Sequence, residues 1–265
     1  MAIRAAIKFL APGSDTPIYR ASVGGAEARL DLAGNYEERE VEILDGRTLG
    51  EVPELDTHGF ALARFGDEMP DLYEADRLVR HDAECRRLVL AATGAVRARV
   101  FDHTLRSSDP ARRAELKVRE PAAVTHSDYT PRSGPQRVRD LMGAEADALL
   151  ARPFAIVNIW RPLALVEQYP LAFCDARTLD GANLVATERR SKERVGEIYM
   201  IHFDPRQRWI YFPRMTPSEA LLFKTYDSRT DGRARWCVHT AFEDPSARAA
   251  APPRESLETR VFAFF

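Results

Sequence analysis

Short apolar runs, each about one strand long and bounded by turn residues, fill the second half of this chain and restrict it to a β-rich fold. Such runs occupy residues 154–160, 196–203, 208–212, 235–242 and 257–265. Two more stand at 41–44, ahead of the Asp45-Gly46 turn, and at 58–63, and residues 96–104 form another. Helical spacing is confined to three stretches. Over 71–93, Leu78, Cys85, Val89 and Ala92 fall near one face, and Gly94 is the expected stop. Residues 135–150 form a second amphipathic helix, and 217–224 a short one with Thr216 as N-cap. Helices so few and so unevenly placed do not fit an alternating parallel βαβ layout. The pattern predicts a mainly β fold with flanking helices around a jelly-roll or barrel core.

No internal repeat or low-complexity linker interrupts the 265 residues, which favours a single domain over 1–265, with the strands of 1–65 packing on the core. Lys and Arg total 38 against 40 for Asp and Glu, a formal charge of −2. That balance offers no basic footprint for nucleic acid or an anionic membrane surface. No run approaches the ~18 apolar residues of a membrane span. The opening MAIRAAIKFLAPGSD is interrupted by Lys8 and reads as a first strand rather than a signal peptide. Cys85, Cys174 and Cys237 are odd in number and form no CxxC, as expected of buried thiols in a reducing, cytoplasmic setting.

Six histidines are the natural place to look for chemistry, and two head a His-x-Asp: His126-Ser127-Asp128 and His202-Phe203-Asp204. On a strand, residues i and i+2 share a face, so either pair can offer an imidazole and a carboxylate to one metal. A second imidazole would complete a two-His-one-carboxylate triad, which leaves positions open on Fe(II). Spacing alone is weak, since roughly 0.4 such pairs arise by chance in this composition. Context separates them. Asp204 precedes Pro205 in a turn, where a carboxylate caps local backbone. His126 and Asp128 instead sit at a strand end ahead of a turn-rich stretch, and His239 lies within an apolar strand where an imidazole needs a reason.

Eight blocks carry a more specific signal: FDHTLR (101–106), THSDYT (125–130), NIWRPL (158–163), PLAFCDARTL (170–179), IYMIHFDPRQRWIYFPRM (198–215), EALLFKTYDS (219–228), HTAFEDP (239–245) and PPRESLETRVFAF (252–264). In order and spacing, from about Asp45 to the C-terminus, the chain resembles the CmcJ/AsaB/gibberellin-desaturase-like family of oxygenases. The resemblance implies a double-stranded β-helix (cupin-like) core, Fe(II) as metal, 2-oxoglutarate as co-substrate and O2 as oxidant. It implies His126, Asp128 and His239 as ligands, and hydroxylation or desaturation of a small specialised metabolite through a ferryl intermediate, with hydroxylation the default. The gap of 111 positions from Asp128 to His239 then requires an insertion, expected to carry the 217–224 helix.

The far carboxylate of 2-oxoglutarate needs a counter-charge, and an arginine fork suits it. Arg254 with Ser256 resembles the RxS clamp of the wider superfamily, and Arg260 shares their strand face as second choice. Asn158 is a further candidate for co-substrate contact, with Trp160, Arg161 and Tyr211 as candidates for a substrate pocket. Two competing classes stay open on the residues alone: a cupin-like metal hydrolase and a non-catalytic small-molecule-binding barrel.

Overall fold

The computed structural model describes residues 2–14, 16–66, 75–192 and 194–265. The N-terminal segment supplies β1 (Ala2–Leu10), β2 (Ile18–Arg20), β3 (Asp31–Ala33), β4 (Tyr36–Asp45) and β5 (Phe60–Arg64). Helix α1 (Ala75–Thr93) follows and stops at Gly94, whose φ of +70° is the left-handed conformation predicted there. Residues 71–74 of the predicted helix lie outside the described residues. Next come β6 (Arg97–Ser107), α2 (Pro110–Leu116) and β7 (His126–Ser127). The expected helix over 135–150 forms as two, α3 (Ser133–Met142) and α4 (Ala146–Leu150), because Gly143 at φ +54° breaks it. The rest is β8 (Phe154–Pro162), β9 (Leu171–Cys174), β10 (Leu184–Arg190), β11 (Val195–Ile201), β12 (Trp209–Tyr211), β13 (Glu219–Asp227), β14 (His239–Ala241) and β15 (Glu255–Phe264).

From β6 onward the chain crosses repeatedly between two sheets. Strands β13, β8, β15 and β6 lie side by side in one, and β12, β9, β14 and β7 in the other. That is the jelly-roll core the sequence predicts. The N-terminal strands lengthen these sheets at their edges. The β1–β4 pair extends from β12, β5 borders β13, and the β10–β11 hairpin with β2 and β3 extends beyond β7.

One expected helix is wrong. Residues 217–224 do not coil; most of them belong to β13, which is buried and paired with β5 on one side and β8 on the other. The Ala-Leu-Leu-Phe run at 220–223 satisfies a helix or a doubly covered strand, and the two waiting neighbours decide it. The insertion between Asp128 and His239 is therefore not a 217–224 helix; of the strands between them, the β10–β11 hairpin lies outside the eight core strands.

Strand β8 shows how the core divides. Val157 and Ile159 point to one face of their sheet and pack with Leu222, Val261 and Ala263 against Cys85, Leu88 and Val89 of α1. Ala92, expected on that helix face, is exposed, and Leu88 takes the contact. Ile156, Asn158 and Trp160 point the other way, toward the interior. Ile159→Ala should therefore cost ~2–5 kcal/mol by chemical denaturation. It should leave the interior site intact, since Ile159 is buried on the helix-covered face.

Candidate metal centre

Antiparallel pairing places His239 of β14 directly opposite His126 of β7, with their ring centroids 4.4 Å apart. Asp128 follows two residues on, its Oδ1 3.7 Å from His126 Nε2. One ligand atom from each of the three residues lies within 4.8 Å of the others. Both imidazoles are anchored alike. His126 Nδ1 lies 2.8 Å from the Val124 carbonyl and His239 Nδ1 3.1 Å from that of Cys237. A carbonyl can only accept, so each Nδ1 carries the proton and each Nε2 presents its lone pair. Burial, followed by the neighbouring His239, pushes the His126 pKa down to about 4, and burial lowers that of His239 as well. Both rings are thus neutral at pH 7, the form that binds metal.

Burial raises the Asp128 carboxyl pKa, but the Arg260 guanidinium, the two neighbouring imidazoles and the Asn158 hydrogen bond together outweigh it and hold the group well below the usual carboxylate range. Arg260 Nε donates to Asp128 Oδ2 at 3.1 Å, and Asn158 Nδ2 donates to the same oxygen at 2.8 Å. Arg260 is itself held by Asp102 at 2.7 Å, by Thr104 Oγ1 at 3.0 Å and by Glu258. Asn158, expected to touch the co-substrate, here donates to Asp128, one of the three candidate ligands. Asn158→Leu should weaken iron binding ~10–100-fold by equilibrium dialysis, the usual effect of losing an outer-shell partner. Unchanged affinity would make the contact incidental.

Two other groups bring similar residues together, and in both the carboxylates are already engaged. In the first, His103 Nε2 is 2.8 Å from Asp82 and His81 Nε2 is 2.8 Å from Thr259 Oγ1. In the second, Glu51 and Asp175 near His58 are both bound by Arg177. The other His-x-Asp behaves as its context predicts: His202 Nδ1 meets the Leu10 carbonyl, and Asp204 accepts from the Arg206 amide.

The β15 register builds a second polar feature on the same interior face. Ser256 lies opposite Arg106 and Pro162, Glu258 opposite Thr104 and Trp160, and Arg260 opposite Asp102 and Asn158. Directly opposed residues share a face, so these side chains line one strip. Arg254, 1% exposed, donates from Nε to Ser256 Oγ at 3.2 Å and from Nη1 to the Tyr169 carbonyl at 2.6 Å. Its guanidinium lies 5.0 Å from the Trp160 ring centre. Among the described residues no carboxylate comes within ion-pair distance of it, and burial followed by Arg106 pushes its pKa down to about 9. Trp160 Nε1 is likewise buried without a hydrogen-bond partner. An uncompensated guanidinium beside an unpaired indole N–H is a costly arrangement that an oxyanion would relieve.

Arg161 and Tyr211 fall elsewhere. Arg161 Nε donates to the Pro217 carbonyl and its guanidinium covers the Phe65 ring at 3.9 Å, close to α1 rather than the interior. Tyr211 is buried with Val41, Ile43 and Phe242 in a core apart from the one holding Trp160. Sequence reasoning missed Arg106, Asp102 and Thr104. The alternation of these polar residues along β6 was the available signal, since a strand with a polar face either meets solvent or lines a cavity.

The family described as "Oxidoreductase/YMDC permease-like domain" matches residues 7–264. Among the described residues no helix is long and apolar enough to cross a membrane. "Hydroxylase/desaturase efuI" of Hormonema carpetanum is 30% identical over 233 residues, covering 80% of this chain and 78% of the relative. "Fe(II)/2-oxoglutarate-dependent dioxygenase nvfI" of Aspergillus novofumigatus is 31% identical over 243 residues, covering 87% and 84%. A solved structure titled "iron and alpha-ketoglutarate-dependent endoperoxidase NvfI" superposes with a TM-score of 0.84 at 26% identity, covering 99% of this chain and 98% of that one.

Proposed function

The chain belongs to this family of Fe(II)/2-oxoglutarate-dependent oxygenases, and on that premise we propose that His126, Asp128 and His239 hold the iron and that Arg254, with Ser256, grips the far carboxylate of 2-oxoglutarate. The protein is an oxidoreductase that uses Fe(II), 2-oxoglutarate and O2 to hydroxylate or desaturate a small specialised metabolite. One observation carries the assignment of ligands: two buried imidazoles with fixed Nδ1 protons aim their Nε2 atoms at the space beside an ionised carboxylate. The donor set, two nitrogens and one carboxylate oxygen, suits Fe(II).

The bound metal with its co-substrate supplies oxidation of an unactivated C–H bond, with 2-oxoglutarate leaving as succinate and CO2. The chain's own part is orientation and exclusion of water. Asn158 and Arg260 fix the Asp128 carboxylate, and the Val124 and Cys237 carbonyls fix the two rings. Phe223 and Phe173 flank His239 at 4.6 and 6.2 Å between ring centres, and Tyr19 stacks beside His126 at 6.3 Å. Arg254 serves the co-substrate better than Arg260 because three carboxylates already engage Arg260. The three cysteines are buried free thiols, which fits a cytoplasmic enzyme.

The test needs no substrate. Purified protein given Fe(II), O2 and 2-oxoglutarate should release succinate slowly and stop when any one is withheld. Metal-dependent turnover indifferent to 2-oxoglutarate would instead favour the hydrolase class.

A further inference from the structure

Asp128 and Arg260 form part of the wall of a cavity of about 460 Å³, so this space opens on the proposed metal site. Five further cations line it: Lys117, Arg119, Arg137, Arg189 and Arg194. They come from separate segments, the stretch after α2, helix α3 and the β10–β11 hairpin. The acidic residues of the wall, Asp102 and Asp128, are both bound to Arg260.

None of the five cations has a carboxylate within ion-pair distance among the described residues. Elsewhere many arginines of this chain are paired: Arg47 with Glu219, Arg206 with Asp180 and Asp204, Arg214 and Arg248 with Glu167. A formal charge of −2 also rules out general basicity as the cause. The positions bring like charges together. Arg119 is bridged in register to Arg106, and Arg189 is opposite Tyr19, the residue stacked beside His126. Burial, then Arg106 and Arg189, lowers the Arg119 pKa; burial, with Arg137 and Arg189, lowers that of Arg194. Arg137 Nε is buried without a hydrogen-bond partner. Like charges gathered in a half-buried wall destabilise the fold unless a ligand compensates, and fixed guanidinium forks match oxyanions.

We propose that the substrate enters as an anion, its carboxylate or phosphate-ester group held by Arg119 and Arg189 with support from Arg137 and Arg194. This deepens the oxygenase reading and rests on it for the word substrate, while the anion site itself does not depend on iron. The β10–β11 hairpin is then the element that sets specificity, since it carries Arg189.

Metal-free protein titrated calorimetrically with pyrophosphate, and separately with benzoate, tests this. The two probes stand for the phosphate-ester and carboxylate sources. At least one should bind, weaken as salt rises, and lose ~10-fold or more affinity in Arg119→Gln/Arg189→Gln, the scale of losing charge-assisted bonds. Arg119→Lys/Arg189→Lys should keep part of the binding, and thermal melts check that each variant folds. Arg214→Gln, which breaks only a surface pair with Glu167, should leave probe binding unchanged. Failure of both probes, indifference to the double substitution, or equal loss of binding in Arg214→Gln would overturn the proposal. Such a failure alongside intact uncoupled succinate release removes the anionic substrate alone. Intact anion binding without 2-oxoglutarate turnover removes the oxygenase assignment alone.

Discussion

His126→Ala and His239→Ala should each lose more than ~100-fold in iron affinity, beyond what outer-shell changes produce, and turnover should fall with it. Either substitution leaves one imidazole and one carboxylate, and water must fill the gap in a site lined by Phe173 and Phe223. The controls lie in the rival residues. His202→Ala touches the other His-x-Asp, and His103→Ala touches the His81–Asp82–His103 cluster, where Asp82 already holds the His103 ring. Both should keep full iron content after dialysis. Iron retained by His126→Ala but lost by His103→Ala would move the metal to the His81–Asp82–His103 cluster.

Arg254→Ala separates the co-substrate from the metal. Two charge-assisted hydrogen bonds at ~1.5–3 kcal/mol each amount to roughly 3–6 kcal/mol, or a ~10²- to 10⁴-fold rise in the 2-oxoglutarate concentration required. Iron content should not change, because Arg254 touches Ser256 and Tyr169 rather than a proposed ligand. Arg254→Lys restores charge but not the fork, so it should recover only part of the loss. Arg260→Ala should show the opposite pattern, weakening iron first through Asp128. If Arg260→Ala raised the 2-oxoglutarate requirement while sparing iron, the two arginines would exchange roles.

The proposed triad was legible because its logic is local. A His-x-Asp at a strand end and a histidine inside an apolar strand each carry their meaning within a few residues. The jelly-roll class was legible from strand-length runs for the same reason. Strand β13 was not, because a short apolar run is neutral between helix and strand until β5 and β8 arrive on its two sides. Asn158 and Arg161 show the same limit at single residues. The alternation along β8 put them on opposite faces, but which face was interior depended on α1 covering the other. The cationic cavity was the least visible feature, since Arg119, Arg137 and Arg189 are far apart in sequence and hidden within a near-neutral total charge.

Anaerobic titration with Fe(II) and then 2-oxoglutarate, followed by visible absorption, tests the central claim most directly. A chelated keto acid on Fe(II) gives a weak charge-transfer band. The band should appear in the wild-type protein, vanish in His126→Ala and require far more 2-oxoglutarate in Arg254→Ala. Iron that binds without producing the band, or a band that survives in His126→Ala, would contradict the assignment of metal and co-substrate to these residues.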